Sequence, residues 1–141
     1  MTYIPDDIRH AVMNRARDCC EYCLTHQQHR FFKFHIDHIE AIKHGGVTAL
    51  DNLCLACVDC NRFKGTDLTS IDRGYTNQIH PLFNPRQQQW QSHFQINFQT
   101  GELVPLSATG RVTVRLLRLN DIERVEDRLL LIEDAQYPCD A

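Results

Sequence analysis

At 141 residues the chain can bury one modest core but not two independent ones. Its 43% hydrophobic and 23% charged residues are a soluble globular composition, with no run of about 18 apolar residues that could cross a membrane. The net charge of −3 argues against a polyanionic partner until it is divided: −1 over residues 1–75, +3 over 76–120 and −5 over 121–141.

The opening MTYIPDDIRH lacks a basic stretch followed by an apolar one, so we expect no export signal and a cytoplasmic setting. Residues 5–17, PDDIRHAVMNRAR, begin with Pro and two acids and repeat Ile8, Val12, Met13 and Ala16 at helical spacing, which predicts a short helix. Residues 30–42, RFFKFHIDHIEAI, are aromatic and β-branched, the composition of a strand or hairpin. HGGVTALDNL follows as a loop, and CNRFKGTDL could open a helix with its free N–H groups close to Asn61. Downstream, NPRQQQWQSHF suggests a helix and FQINFQTGELVPL a hairpin turning at Thr100-Gly101. Val112, Leu116 and Leu119, then Ile122, Val125, Leu129 and Ile132, recur at helical spacing, although Val112 and Val114 leave strand open for the first of these segments. No internal repeat or low-complexity segment is visible.

Seven cysteines without an export signal point to metal ligands ahead of disulfides. Cys20-Glu-Tyr-Cys23 and Cys57-Val-Asp-Cys60 are two CxxC turns with 33 residues between them. Each turn brings two thiolates near one point, and two turns complete a tetrahedron for structural zinc. Cys54 lies in the apolar run LCLA and suits a small core residue, whereas Cys19 could replace Cys20 as a ligand.

In order, Cys20xxCys23, Asp37-His38-Ile39, Gly45-Gly46, Asp51-Asn52-Leu53, Cys57xxCys60, Asn61 and Lys64-Gly65 resemble the HNH endonucleases of the ββα-metal type, over roughly residues 18–68. LFNPRQQQWQSHF and ATGRVTVRLLRLN resemble, more weakly, an extension on some stand-alone bacterial HNH proteins. The resemblance implies an α+β fold: a zinc-stapled ββα module within residues 1–75 and a mixed helix and hairpin extension over 76–141, packed as one unit. It implies a cytoplasmic endonuclease acting on DNA, with no membrane partner, that leaves a 5′-phosphate and a 3′-hydroxyl.

The chemistry matches these residue types. Hydrolysis of a phosphodiester needs an activated water, and His38, with an ordinary imidazole pKa of about 6.5, can take a proton at neutral pH. Asp37 and Asn61 would supply oxygen ligands to a catalytic Mg²⁺ or Mn²⁺. Asn61 stands where many members carry His, and its amide oxygen favours those hard ions over a catalytic zinc. The resemblance gives Asn52 a loop-pinning role that orients the base, although an ordinary turn residue is the alternative. Lys64 is a candidate phosphate contact, with plain solvation as the alternative.

Neighbours on a regular strand face opposite sides, so Asp37 and His38 must sit at a strand end or twist, and Gly45-Gly46 would let the hairpin close. His35 is expected to line the hairpin; His26, His29 and His44 are expected in solvent. Arg111, Arg115 and Arg118 could form one basic helix face, for a DNA backbone or for pairing with the acidic tail. Trp90 and Phe94 are expected in the core. The alternative for the whole chain is a non-catalytic zinc module that binds nucleic acid or protein.

Overall fold

The computed structural model describes residues 3–140. Helix α1, Asp6–Ala16, starts after Pro5, carries Asp6 and Asp7 in its first turn and stops at Arg17, which adopts a left-handed φ of 53°. Val12 and Ala16 pack on Leu53 and Leu55. Arg15 adds two hydrogen bonds, to the carbonyls of Leu50 at 2.8 Å and Leu53 at 2.6 Å. The helix is thereby fastened to the strand that follows the glycine loop.

Strand β1, His35–His38, pairs antiparallel with β2, Leu53–Ala56, so that Asp37 faces Cys54 and His38 faces Leu53 across the ladder. Helix α2, Val58–Lys64, follows directly, with the Cys57 sulfur capping the N–H of Cys60. This order is ββα. β1 is much shorter than the expected 30–42 strand because the Gln27 side chain captures the backbone before it: its Oε1 accepts from Phe34 N at 2.6 Å and its Nε2 donates to Phe32 O at 3.0 Å. α2 also begins three residues before Asn61, whose N–H already bonds the carbonyl of Cys57. Asn61 therefore lies on the body of the helix rather than at its open end.

Two further hairpins follow: β3, Thr69–Ile71, with β4, Ile79–Pro81, and β5, Phe94–Ile96, with β6, Leu103–Pro105. The first gave no clear sequence signal; the second turns where expected. Residues 84–94 are not a helix. Asn84 Oδ1 accepts the N–H groups of Arg86 at 2.9 Å and Gln87 at 3.3 Å, and this local competition leaves only a 3₁₀ turn at Trp90–Ser92. Helices α3, Ala108–Leu116, and α4, Ile122–Glu133, close the chain, so helix prevails over strand for the first.

Trp90, Phe94, Phe83, Leu103, Val112, Leu117 and Leu119 form one core with Tyr22, Ile39 and Cys54 from the ββα region. Trp90 stacks on Phe94, centroids 5.0 Å apart, and donates its indole N–H to the Tyr22 carbonyl at 2.9 Å. The inner face of α4 departs from expectation: Arg124 and Arg128 are buried, while Ile122 is 72% exposed. Arg128 donates to the carbonyls of Gly101 and Leu119, and Arg124 to that of Leu117. These are carbonyls that a hairpin turn and a helix end leave unpartnered, which explains why arginine rather than leucine faces inward.

Cys19 and Cys139 form a disulfide across 120 residues, with Cα atoms 5.9 Å apart. This corrects the expectation that the cysteines serve only metal or core, and it leaves Cys20 as the ligand candidate. Among the described residues no helix is long and apolar enough to cross a membrane. Trp90→Ala should cost about 3–5 kcal/mol, from the lost ring and the orphaned Tyr22 carbonyl, measured by denaturant unfolding of metal-loaded protein. An unchanged midpoint would show that the C-terminal half does not lean on this residue.

Candidate active site

Cys20, Cys23, Cys57 and Cys60 are all buried, and their sulfurs lie within 4.8 Å of one another. Cys23 and Cys57 approach to 3.8 Å, the edge of a sulfur tetrahedron drawn at a zinc–sulfur distance of about 2.3 Å. Each CxxC turn also aims a backbone N–H at its first sulfur: Cys23 N at Cys20, 3.5 Å, and Cys60 N at Cys57, 3.4 Å. Burial pushes the Cys20 and Cys60 thiols up, whereas hydrogen bonds from the neighbouring sulfurs hold Cys23 down. By itself the cage favours partial ionisation, and a divalent cation would let all four ionise. The cluster can hold a structural zinc.

Arg124 reaches this cluster from α4, donating to Cys60 Sγ at 3.1 Å and approaching Cys57 Sγ at 3.8 Å. Burial alone would pull its guanidinium down, yet the charges of Cys60, Cys23 and Cys57 outweigh that and raise it. Nothing in the cysteine spacing signals this residue. It also falls outside the apolar repeat Ile122, Val125, Leu129 and Ile132, so helical periodicity assigns it to the wet side.

A second site lies at the end of β1. Asp37, His38 and Asn61 line one open hollow of about 300 Å³ with Ile36, Ala41, Ile42, Lys43, Gly65 and Thr66. The two neighbours do diverge: Asp37 turns inward and is 5% exposed, whereas His38, the last residue of the strand, is half-buried under the loop. His38 Nε2 lies 2.9 Å from Thr48 Oγ1. Asn61 sits half-buried on α2, its side chain making no hydrogen bond among the described residues.

Residues 20–67 match the family model of the HNH endonuclease. Over this segment the chain is similar to the HNH endonucleases. The segment spans about a third of the chain and contains both CxxC turns, the Asp37-His38 pair, Asn52, Asn61 and Lys64. No curated protein matches the chain.

Within the matched segment the loop from Ile39 to Asn52 is held by the side chain of Asn52. Asn52 Oδ1 accepts the Glu40 N–H, and Nδ2 donates to the carbonyls of Glu40 and Val47, each at 2.9 Å. Gly45 has φ +95°, and a Cβ on Gly46 would stand 1.8 Å from the Glu40 carbonyl oxygen. The glycine pair is therefore a steric requirement of the loop that covers His38.

Lys64 is not the surface cation its position suggested. It is 2% exposed, with Nζ 3.2 Å from Asp37 Oδ2, 3.4 Å from Oδ1 and 3.2 Å from the His38 carbonyl. Tyr22 completes the set by donating its hydroxyl to Asp37 Oδ2 at 2.9 Å, with Cys54 Sγ 3.7 Å away. Tyr22 and Thr48 carry no motif of their own, so the sequence alone does not single them out. His35 is exposed at the start of β1, and His44 bonds the Thr66 carbonyl at 3.0 Å.

The three downstream arginines do not make one basic face. Arg111 forms a bidentate pair with Asp72, Arg115 bonds the carbonyls of Ile71 and Arg73, and Arg118, beyond the end of α3, lies over Phe63 at 4.8 Å. Asp72 is held well below the usual carboxylate range by the Arg111 hydrogen bonds.

Arg124→Leu should weaken zinc affinity about 10–100-fold, read by competition with a chromophoric chelator; unchanged affinity would remove Arg124 from the charge balance. Lys64→Met strands a buried carboxylate and should lower stability by about 3–5 kcal/mol at neutral pH, seen by chemical unfolding. A loss below 1 kcal/mol would mean that Asp37 is solvated in a way its burial denies.

Proposed function

We propose that the chain is a metal-dependent endonuclease that hydrolyses DNA phosphodiester bonds. The observation that carries this is the convergence of His38, Asp37 and Asn61 on one open hollow at the end of β1. His38 is the general base: it takes the proton of a water whose oxygen bonds phosphorus as the 3′-oxygen leaves. Thr48, on Nε2, orients the ring and leaves Nδ1 for that proton, and Asn52 holds the loop bearing Thr48.

The donor set suits a hard cation. Among the described residues, Asp37 Oδ2 is committed to Tyr22 and Lys64, Oδ1 has only the 3.4 Å approach of Lys64 and keeps acceptor capacity, and the Asn61 side-chain amide has no hydrogen-bond partner. Asp37 and Asn61 would hold Mg²⁺ or Mn²⁺, which would supply Lewis-acid stabilisation of the phosphorane and the departing oxygen. Lys64 aligns the Asp37 carboxylate from beneath. The zinc held by Cys20, Cys23, Cys57 and Cys60 is structural, since all four sulfurs are buried with no open position among them. A cytoplasmic setting goes with this function, and in it the Cys19–Cys139 bond would face the reducing glutathione pool.

One observation favours a non-catalytic zinc module that binds nucleic acid or protein: Asp37 already has a resident cation in Lys64. The two functions separate on supercoiled plasmid with Mg²⁺ or Mn²⁺, comparing wild type with His38→Ala of equal zinc content. We expect His38→Ala to cut about 10²–10⁴-fold more slowly. Equal rates would sink the assignment of the base, and no cutting of plasmid, oligonucleotide or RNA by wild type would leave the binding module.

A further inference from the structure

The segment Arg30-Phe31-Phe32-Lys33, just before β1, presents two aromatic rings to solvent. Phe31 is 94% exposed, the most of any large apolar side chain among the described residues, and Phe32 is 67% exposed. The rings meet edge to face, centroids 5.1 Å apart and planes at 84°. Their backbone is fixed from both sides, because Gln27 holds Phe32 O and Phe34 N, while the Phe34 ring packs against both apolar clusters of the fold. Two rings raised on an anchored support have a desolvation incentive and, among the described residues, no aromatic partner but each other.

Their surroundings are cationic. Arg30 and Lys33 flank the rings in sequence, and Arg62 of α2 lines the same shallow hollow of about 320 Å³, in which Asp59 is the one acid. The Arg62 guanidinium is exposed and 3.4 Å from Asp59, and that of Arg30 is 3.6 Å from Asp127. Such surface pairs are weak and exchange readily for phosphate. Phe34 lines this hollow, and Ile36 and His38 line the one at the end of β1. Phe31 and Phe32 precede His38 by seven and six residues, at most about 25 Å of chain, so the two hollows fall within about seven nucleotide steps along one strand of a B-form duplex.

We propose that Phe31 and Phe32 are a base-stacking wedge, flanked by phosphate contacts from Arg30, Lys33 and Arg62, that selects DNA with unpaired or easily unstacked bases within about seven nucleotides of the bond cut at His38. The distance to the cut rests on the nuclease function proposed above; the wedge itself does not. Apolar rings inserted between base steps and stacked on free bases are a known use of phenylalanine on nucleic acid. Rings ringed by cations suit a polyanion with planar faces better than an apolar protein groove.

The test is binding by full-length, zinc-loaded protein, without Mg²⁺ or Mn²⁺, to single-stranded and bulged-duplex oligonucleotides carrying 2-aminopurine. Wild type should change the 2-aminopurine fluorescence and favour the bulged over the perfect duplex. Phe31→Ala and Phe32→Ala should each weaken binding about 5–150-fold and erase the fluorescence change with the salt slope intact. Both rings are exposed, so thermal stability and zinc content should stay at wild-type values. Phe31→Leu, apolar but without a π face, should bind nearly as poorly as Phe31→Ala. Lys33→Ala and Arg62→Ala should instead reduce the salt slope by about one each.

Wild-type affinity and fluorescence in both alanine variants would overturn the wedge, as would full rescue by leucine. Loss of self-association in sedimentation, with DNA binding untouched, would overturn it in favour of a second copy of the chain. His38-dependent plasmid cutting with no effect of the rings would refute the wedge alone, and ring-dependent binding without any cutting would refute the nuclease alone.

Discussion

Four sulfurs buried at one point cannot all carry charge without a cation, and the rest of the molecule is arranged around that requirement. The first CxxC turn fixes Tyr22 between its ligands, and the second makes Cys57 the cap of α2. Tyr22 then reaches Asp37 under β1, so the same turn that offers two ligands also supports the carboxylate of the candidate active site. α4 answers from the other side with Arg124, whose guanidinium lies against two of the sulfurs. A domain of this size has little apolar surface to bury, and a metal held at this cluster, with a resident guanidinium beside it, would replace much of the missing core.

A second ionic arrangement lies directly beneath the catalytic candidates. Lys64, at the end of α2, spans to Asp37 and to the His38 carbonyl, tying the helix to the strand by one buried ammonium. A buried pair of this kind is costly to assemble and seldom stabilises more than apolar packing would, so its place here is better understood as alignment. It sets the distance between the helix that carries Asn61 and the strand that carries His38. The loop above is fixed by different means, through the three hydrogen bonds of Asn52 and the tight approach at Gly46. The hollow is thus held from below by charge and from above by backbone contacts.

Much of this was legible in the residue order because the chemistry demands particular types at particular intervals. CxxC turns, a glycine pair ahead of an Asn, and an Asp-His pair each have few physical explanations, and they fell together in space. Periodicity located α1, α3 and α4, and Thr100-Gly101 located the hairpin of β5 and β6. Illegible features were those decided by a partner distant in sequence. Arg124 and Arg128 look like the wet side of a helix until the carbonyls and sulfurs they meet are known. Lys64 looks like a surface cation until Asp37 is placed under it. Asn84 defeated a helical pattern by accepting the N–H groups of Arg86 and Gln87, and Gln27 shortened β1 by holding the backbone of Phe32 and Phe34.

The Cys19–Cys139 disulfide joins the residue beside the first ligand to the last turn of the chain, where the Tyr137 hydroxyl also donates to the Cys23 carbonyl at 2.7 Å. All the hairpins, three of the four helices and both candidate sites lie inside the ring that this bond closes. A protease nick in any loop between those two cysteines would leave the two pieces covalently joined. Oxidised, residues 19–139 are therefore a covalent ring, and its integrity as one body would not depend on every peptide bond within it.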